Sequence, residues 1–283
     1  VTAPRELLSD AAARLREAGV PSPEHDAAEL LAHVLGTDRS RLALVDDVDE
    51  EAQQTYDALL VRRESREPLQ HLTGTAWFRH VSLGVGPGVF TPRPETELLA
   101  GWAIEEAGHH EEPVVVDLCT GSGAIAKALA DEAHHARVHA VELSEDAFGY
   151  ARANLPATVD LRLGDAFTAF EDLLGQVDVV VCNPPYVPLE AWESVAPEAR
   201  DHDPHLALFS GDDGLDAIRR LAVRAAELLR PGGVVGVEHA DVQGASVPEV
   251  FAATGRWTEI RDHPDLTGRA RFTTARLAHS RGE

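Results

Sequence analysis

Val114-Val115-Val116-Asp117-Leu118-Cys119-Thr120-Gly121-Ser122-Gly123 decides the architecture. The run 114–118 is short and almost wholly apolar, which predicts a strand buried on both faces. A glycine-rich turn then leads into residues 123–133, an Ala-rich helical stretch. The same alternation continues downstream. Strands are predicted over 137–141, 160–163, 177–182 and 234–238. Helices are predicted over 145–154, over 213–229 with Arg230-Pro231-Gly232-Gly233 as its stop, and over 242–254. Two late strands, 257–261 and 271–277, have no clear helix between them and predict an antiparallel terminal hairpin. The pattern is that of an α/β fold, a Rossmann-like doubly wound sheet with an antiparallel terminal strand.

Upstream the period changes. Leu7, Leu8, Ala11, Leu15 and Ala18 recur at helical spacing and stop at Gly19. Ser22-Pro23-Glu24 predicts a second helix, with Ser22 as N-cap and an apolar face of Ala27, Leu30, Leu31, Val34 and Leu35. A third is predicted over 51–66. Residues 68–94 are punctuated by Gly74, Gly84, Gly86 and Gly88 between β-prone runs at 76–78 and 81–85, the pattern of a hairpin. The expected domains are a small helical domain over 1–70, a hairpin linker over 71–92 and an α/β domain over 93–283.

The 283 residues carry a net charge of −23, with 48 acidic against 25 basic side chains. A general nucleic-acid binder carries a basic face, and Arg62-Arg63 with Arg66 is one candidate for a local patch. The balance favours a protein partner or a small substrate, and no stable nucleic-acid binding is expected. No apolar stretch approaches the roughly 18 residues needed to cross a bilayer. Residues 1–10 lack the basic and apolar regions of a secretory signal. Two cysteines, Cys119 and Cys182, are too few for a disulfide framework, and a cytoplasmic location is expected. No H-E-x-x-H or C-x-x-C pattern points to a metal; His109-His110 and His134-His135 read as solvated helix ends.

Asp117 to Gly123 departs from the dinucleotide G-x-G-x-x-G, because position 119 is Cys and Ala126 takes the last glycine's place, and it lacks the Lys of a P-loop. Glu142 ends the second strand, about 20 residues on, where a carboxylate can hold two ribose hydroxyls. Both NAD and S-adenosylmethionine carry such a ribose. Asp117 distinguishes them: a carboxylate attracts the cationic amino-acid end of S-adenosylmethionine and repels a pyrophosphate. Asp165, followed by Ala166 after the third strand, is placed to bind an adenine amino group. The expected cofactor residues are thus Asp117, Cys119, Thr120, Gly121, Ser122, Gly123, Glu142, Asp165 and Ala166, with Asn183 beside them.

Asn183-Pro184-Pro185-Tyr186 follows the strand over 177–182. Two prolines remove two backbone donors and leave carbonyl acceptors. Asn183 adds a side-chain acceptor and Tyr186 a flat ring, so the turn can grip a planar group that bears an NH2.

These residues resemble the HemK-type protein-(glutamine-N5) methyltransferases that modify peptide chain release factors. The likeness runs through nearly the whole chain. It includes Pro68-Leu69-Gln70-His71-Leu72-Thr73-Gly74, Phe90-Thr91-Pro92-Arg93-Pro94-Glu95-Thr96-Glu97, the loop at 117–123, Asn183 to Tyr186, and Pro204-His205-Leu206-Ala207-Leu208 with Gly211 to Gly214. Cys119 stands where the family often has Gly, Glu142 where Asp is common, and Ala166 where some members carry an aromatic residue. The resemblance implies a class I S-adenosylmethionine-dependent methyltransferase that modifies the glutamine amide in the Gly-Gly-Gln loop of class I release factors. Asn183 Oδ1 and the Pro184 carbonyl would accept the amide N–H bonds. Tyr186 would pack against the amide through its ring rather than its hydroxyl, beside Pro185. The helical domain would dock the protein substrate. The alternative reading is an adenine-N6 nucleic-acid methyltransferase using the same four residues on a flipped base. The acidic balance and the lack of a separate basic module argue against it. A degenerate binding module and an NAD oxidoreductase leave Asn183 without a role.

Overall fold

In the amino-terminal part, helices form where apolar side chains recur every three or four residues: α1 (Pro4–Glu17), α2 (Pro23–Val34), α3 (Glu50–Glu64) and α4 (Leu69–Thr73). The structure is a computed structural model that describes residues 2–279; Val1 and residues 280–283, the outer ends of the expected domains, lie outside the described residues. Leu15, Ala27, Leu30, Leu31, Tyr56 and Leu60 close a core of their own. Ser22 stands at the N-cap of α2 but its side chain makes no capping bond; its ψ of 65° lies outside the β region that aims a cap at the helix. Asp49 does cap α3, accepting from the Ala52 N–H at 2.8 Å.

The chain divides into two units. The first comprises the residues up to Thr75 together with Ala196–His202, and the second comprises the remainder. The first unit is therefore discontinuous where one run, 1–70, is expected. Glu198 explains the second stretch. It accepts from Arg66 Nε and Nη2, each at 2.8 Å, and from Arg63 Nη2 at 3.0 Å. Arg63 in turn holds Asp26 at 2.8 Å, and both are almost fully buried. Arg62 pairs with Glu67. The candidate basic patch is thus an arginine cluster neutralised by its neighbours.

The second unit takes in the hairpin of β1 (Thr75–Phe78), from Ala76 onward, and β2 (Val81–Gly84), then α5 (Thr96–Ala107). β3 (Val114–Leu118), α6 (Ala124–Glu132), β4 (Arg137–Glu142), α7 (Glu145–Asn154), β5 (Asp160–Leu163) and β6 (Val177–Cys182) follow. The chain continues through α8 (Asp216–Leu228), β7 (Leu229–Glu238), α9 (Ser246–Ala253), β8 (Trp257–Pro264) and β9 (Ala270–Leu277). Among the described residues seven strands form one sheet in the order β5-β4-β3-β6-β7-β9-β8. The first five run parallel and β9 is antiparallel to both neighbours. Val115, Val179 and Val181 face one apolar layer, and Val114, Val116, Val180 and Val235 the other. Burial on both faces is what the valine-rich runs encode.

Several elements differ from expectation. No element is expected between Pro94 and Val114, yet α5 packs there through Leu99, Ala100, Ala103 and Ala107. The helix expected over 213–229 is shorter, and Arg230-Pro231-Gly232-Gly233 belongs to β7. Val177 pairs with Leu229 and Val179 with Val234, so these residues form a bulge, with Gly232 at φ +81°. The helix expected over 242–254 is cut to α9. Among the described residues no helix is long and apolar enough to cross a membrane.

Candidate active site

The carboxyl ends of β5, β4, β3 and β6 lie side by side and carry the expected residues. Asp117 is fully buried near the end of β3. Its Oδ2 accepts from Thr120 Oγ1 at 2.6 Å and from the Ala126 N–H at 3.2 Å, whereas Oδ1 has no partner. Burial pushes this carboxyl up to about 7, against the opposing pull of the Thr120 hydroxyl and the Ala126 N–H, with Glu142 raising it further. Glu142, at the end of β4, accepts from the Gly121 N–H at 2.8 Å and the Ser144 N–H at 2.9 Å; burial raises its carboxyl too. Glu142 therefore shapes the loop as well as facing its edge.

Within that loop Thr120 and Ser122 are buried, the Thr120 hydroxyl committed to Asp117 and the Ser122 carbonyl held by Asn154 at 2.9 Å. Gly121 has φ +59° with open space where a Cβ would stand; Gly123 has φ +88°. Cys119 also takes a left-handed conformation, φ +60°, at a cost a glycine would avoid. Its thiol meets that of buried Cys182, whose ionisation is strongly suppressed by burial. Asp165 Oδ1 accepts from the Phe167 N–H at 2.9 Å, and Oδ2 takes Arg220 Nη2 at 3.1 Å. Ala166 is buried with Phe170 in the core layer.

Asn183, Pro184, Pro185 and Tyr186 follow β6 directly. Asn183 Nδ2 donates to Thr96 Oγ1, on the first residue of α5, at 3.3 Å. The Tyr186 hydroxyl donates to Glu238 Oε1, at the end of β7, at 3.2 Å. The hydroxyl therefore has a defined partner within the fold. The Tyr186 N–H donates to the Leu208 carbonyl at 3.2 Å, and its own carbonyl accepts from Gln243 Nε2 at 3.0 Å. Glu238 is 1% exposed and its Oε2 is unpartnered; burial carries its carboxyl up to about 7, while Thr96 and Tyr186 pull it down. Asp203, also buried, is held by Arg93 Nη2 at 2.7 Å and raised by burial to about 6. Arg93 lies over the Phe90 ring, 5.0 Å from its centre.

Compared with known proteins, the chain is 60% identical over 274 residues to the release factor glutamine methyltransferase of Streptomyces coelicolor, covering 96% of this chain and 97% of that protein. It belongs to the release factor glutamine methyltransferase family. The proteins of that name from Mycolicibacterium smegmatis and Deinococcus radiodurans are 48% and 41% identical. The first match covers 98% of this chain and 99% of the relative, the second 97% and 98%. The PrmC N-terminal domain matches residues 6–74 and a methyltransferase domain matches residues 115–202. The solved catalytic domain of hMettl16 with a MAT2A 3′UTR hairpin superposes with a TM-score of 0.54 at 16% identity, over 69% of this chain and 75% of that one, which supports the shared class I methyltransferase fold. A methyl donor is the cofactor class that a methyltransferase of this fold requires.

The family motif over 90–97 gains a place from the structure. Its Thr96 reaches the Asn183 side chain directly, and its Arg93 holds the buried Asp203. Glu238 and Gln243 carry no sequence signal of their own; an acid ending a predicted buried strand beside the Asn-Pro-Pro-Tyr strand is the only available clue.

Proposed function

We propose that this chain transfers a methyl group from S-adenosylmethionine to the side-chain amide nitrogen of the glutamine in the Gly-Gly-Gln loop of class I peptide chain release factors. The observation that carries the reading is the Asn183 amide. Its Nδ2 is engaged by Thr96, so its Oδ1 remains the acceptor for an incoming N–H. The Pro184 carbonyl supplies a second acceptor on the same turn. An amide nitrogen is a weak nucleophile because its lone pair is delocalised; two acceptors on its N–H bonds orient that lone pair and favour its attack. The nitrogen gains a methyl group and releases one proton.

The residues fit the cofactor. The unpartnered, buried Asp117 Oδ1 suits a cationic ammonium, and the open face of Gly121 suits close approach of a ligand. Asp117, Gly121, Gly123 and Glu142 would hold it, Glu142 through the ribose, with Asp165 near the adenine. The bound cofactor supplies an electrophilic methyl on a sulfonium. The helical unit docks the protein substrate. With a net charge of −23 and its basic cluster neutralised, the chain favours a protein over a nucleic acid as acceptor.

The test is single-turnover transfer of labelled methyl to a release factor with its Gly-Gly-Gln loop intact, beside a control carrying Ala for Gln. The intact factor takes label and the control does not. Asn183→Ala loses roughly 100-fold or more in transfer while cofactor affinity changes little. Equal labelling of the control overturns the acceptor, and near-wild-type transfer by Asn183→Ala overturns the residue.

A further inference from the structure

We infer that Thr96 and Glu238 are positioning residues, which set the orientation of the Asn183 amide and hold the Tyr186 ring against it. The inference rests on the amide-methylation reading above. A hydroxyl has one proton to give and lone pairs to receive, whereas a carboxylate, the form Glu238 takes above its raised value of about 7, only accepts. Tyr186 donates its proton to Glu238 at 3.2 Å, and the Thr96 hydroxyl faces the same carboxylate. With its proton drawn towards Glu238, the Thr96 oxygen presents lone pairs to Asn183. Asn183 answers with Nδ2 at 3.3 Å, not with Oδ1. A reversed amide would set two acceptors against each other in a part-buried setting and leave both unpaired. One carboxylate thus orients both the acceptor atom and the ring of the substrate-gripping turn.

The positions of these groups follow from the fold. Cys182 and Val237 are register partners on adjacent parallel strands, so the next residues, Asn183 and Glu238, leave the sheet side by side. α5 packs against both β6 and β7, which brings its first residue, Thr96, to the same edge. Thr96 and Glu238 are 4% and 1% exposed, too buried to touch a glutamine themselves, and they act through Asn183 and Tyr186. Burying a carboxylate with one oxygen unpartnered is unfavourable for stability alone, so the arrangement points to function.

Thr96→Val removes the hydroxyl at constant shape, and Thr96→Ser keeps it. Transfer to the intact release factor is measured in single turnover at saturation, with cofactor affinity by calorimetry. We expect Thr96→Val to slow transfer by about 10- to 100-fold, because misorientation of the reacting groups on this scale costs that much. Cofactor affinity stays within about twofold and Thr96→Ser restores the rate to within about threefold, since the hydroxyl is all that the reaction uses. In an Asn183→Ala background Thr96→Val slows transfer no further, because the effect passes through Asn183. A wild-type rate for Thr96→Val, equal slowing by Val and Ser, or additivity with Asn183→Ala overturns the inference. Should Thr96→Val fail to fold, Glu238→Gln in the same double-mutant cycle carries the test with the same outcomes. A wild-type chain that leaves the glutamine unlabelled overturns the amide reading instead, and that result is visible before any variant is compared.

Discussion

Replacing Asp117 by Asn removes a charge from a site where the fold resists it. The carboxyl is fully buried and raised from 3.8 to about 7. A group whose folded pKa exceeds its unfolded value stabilises the fold most below the unfolded pKa. That contribution declines as pH rises and is gone above the folded pKa. For Asp117 the window is pH 4 to 7. At about 1.4 kcal/mol per pH unit the full excursion is roughly 4 kcal/mol. Glu238 and Asp203 carry shifts of the same sign, so the wild-type slope exceeds that of one group. The informative quantity is therefore the difference between Asp117→Asn and wild type, measured by urea unfolding at half-unit steps from pH 4 to 8. Asn keeps the shape and its Oδ1 can take both the Thr120 hydroxyl and the Ala126 N–H. The variant's curve should be flatter by about one proton across that window. The same carboxylate predicts the opposite trend for ligand binding: a cation at Oδ1 favours the ionised form, so S-adenosylmethionine affinity rises about tenfold per pH unit below pH 7 and levels above it. Asp117→Asn should abolish that rise. Parallel unfolding curves for the two proteins would refute the buried-charge argument, and a pH-independent affinity in wild type would remove Asp117 from the cationic end of the ligand.

Two further outcomes follow from contacts already described. Arg63→Ala leaves Asp26 buried without its cation, and should lower unfolding free energy by about 3–5 kcal/mol in urea followed by far-ultraviolet circular dichroism; a loss below about 1 kcal/mol would show that the pair contributes little. Gly214 has φ +76°, and a Cβ there would collide with the Tyr186 carbonyl and stand 2.9 Å from Gln243 Nε2. Gly214→Ala should slow methyl transfer about tenfold or more with cofactor affinity intact, by displacing Tyr186; an unchanged single-turnover rate would show that the turn tolerates the shift.

The strands were legible because burial on both faces writes them as valine runs, and the loop after β3 because glycine and acid sit at its switch point. α5 was not. Leu98, Trp102 and Ile104 are partly buried beside its main stripe, which blurs the 3.6-residue period. Arg230-Pro231-Gly232-Gly233 has the composition of a turn, and only the register of β6 against β7 makes it a bulge. The Thr96–Asn183 and Tyr186–Glu238 contacts span 87 and 52 residues, so no local pattern announces them. The arginines at 62, 63 and 66 resemble a basic patch for the same reason. Two of their acidic partners, Asp26 and Glu198, are distant in sequence, and local charge counting misses them.

The membership of Ala196–His202 in the amino-terminal unit has a consequence for how such chains can be recombined. No single crossover point lifts that unit out whole, because Glu198 travels with the catalytic half of the sequence while Arg63 and Arg66 travel with the other. A graft of one relative's first 75 residues onto another's remainder inherits its ion cluster only if position 198 is acidic in the recipient. Compatibility between halves is thus written at a residue that no boundary drawn along the sequence would include.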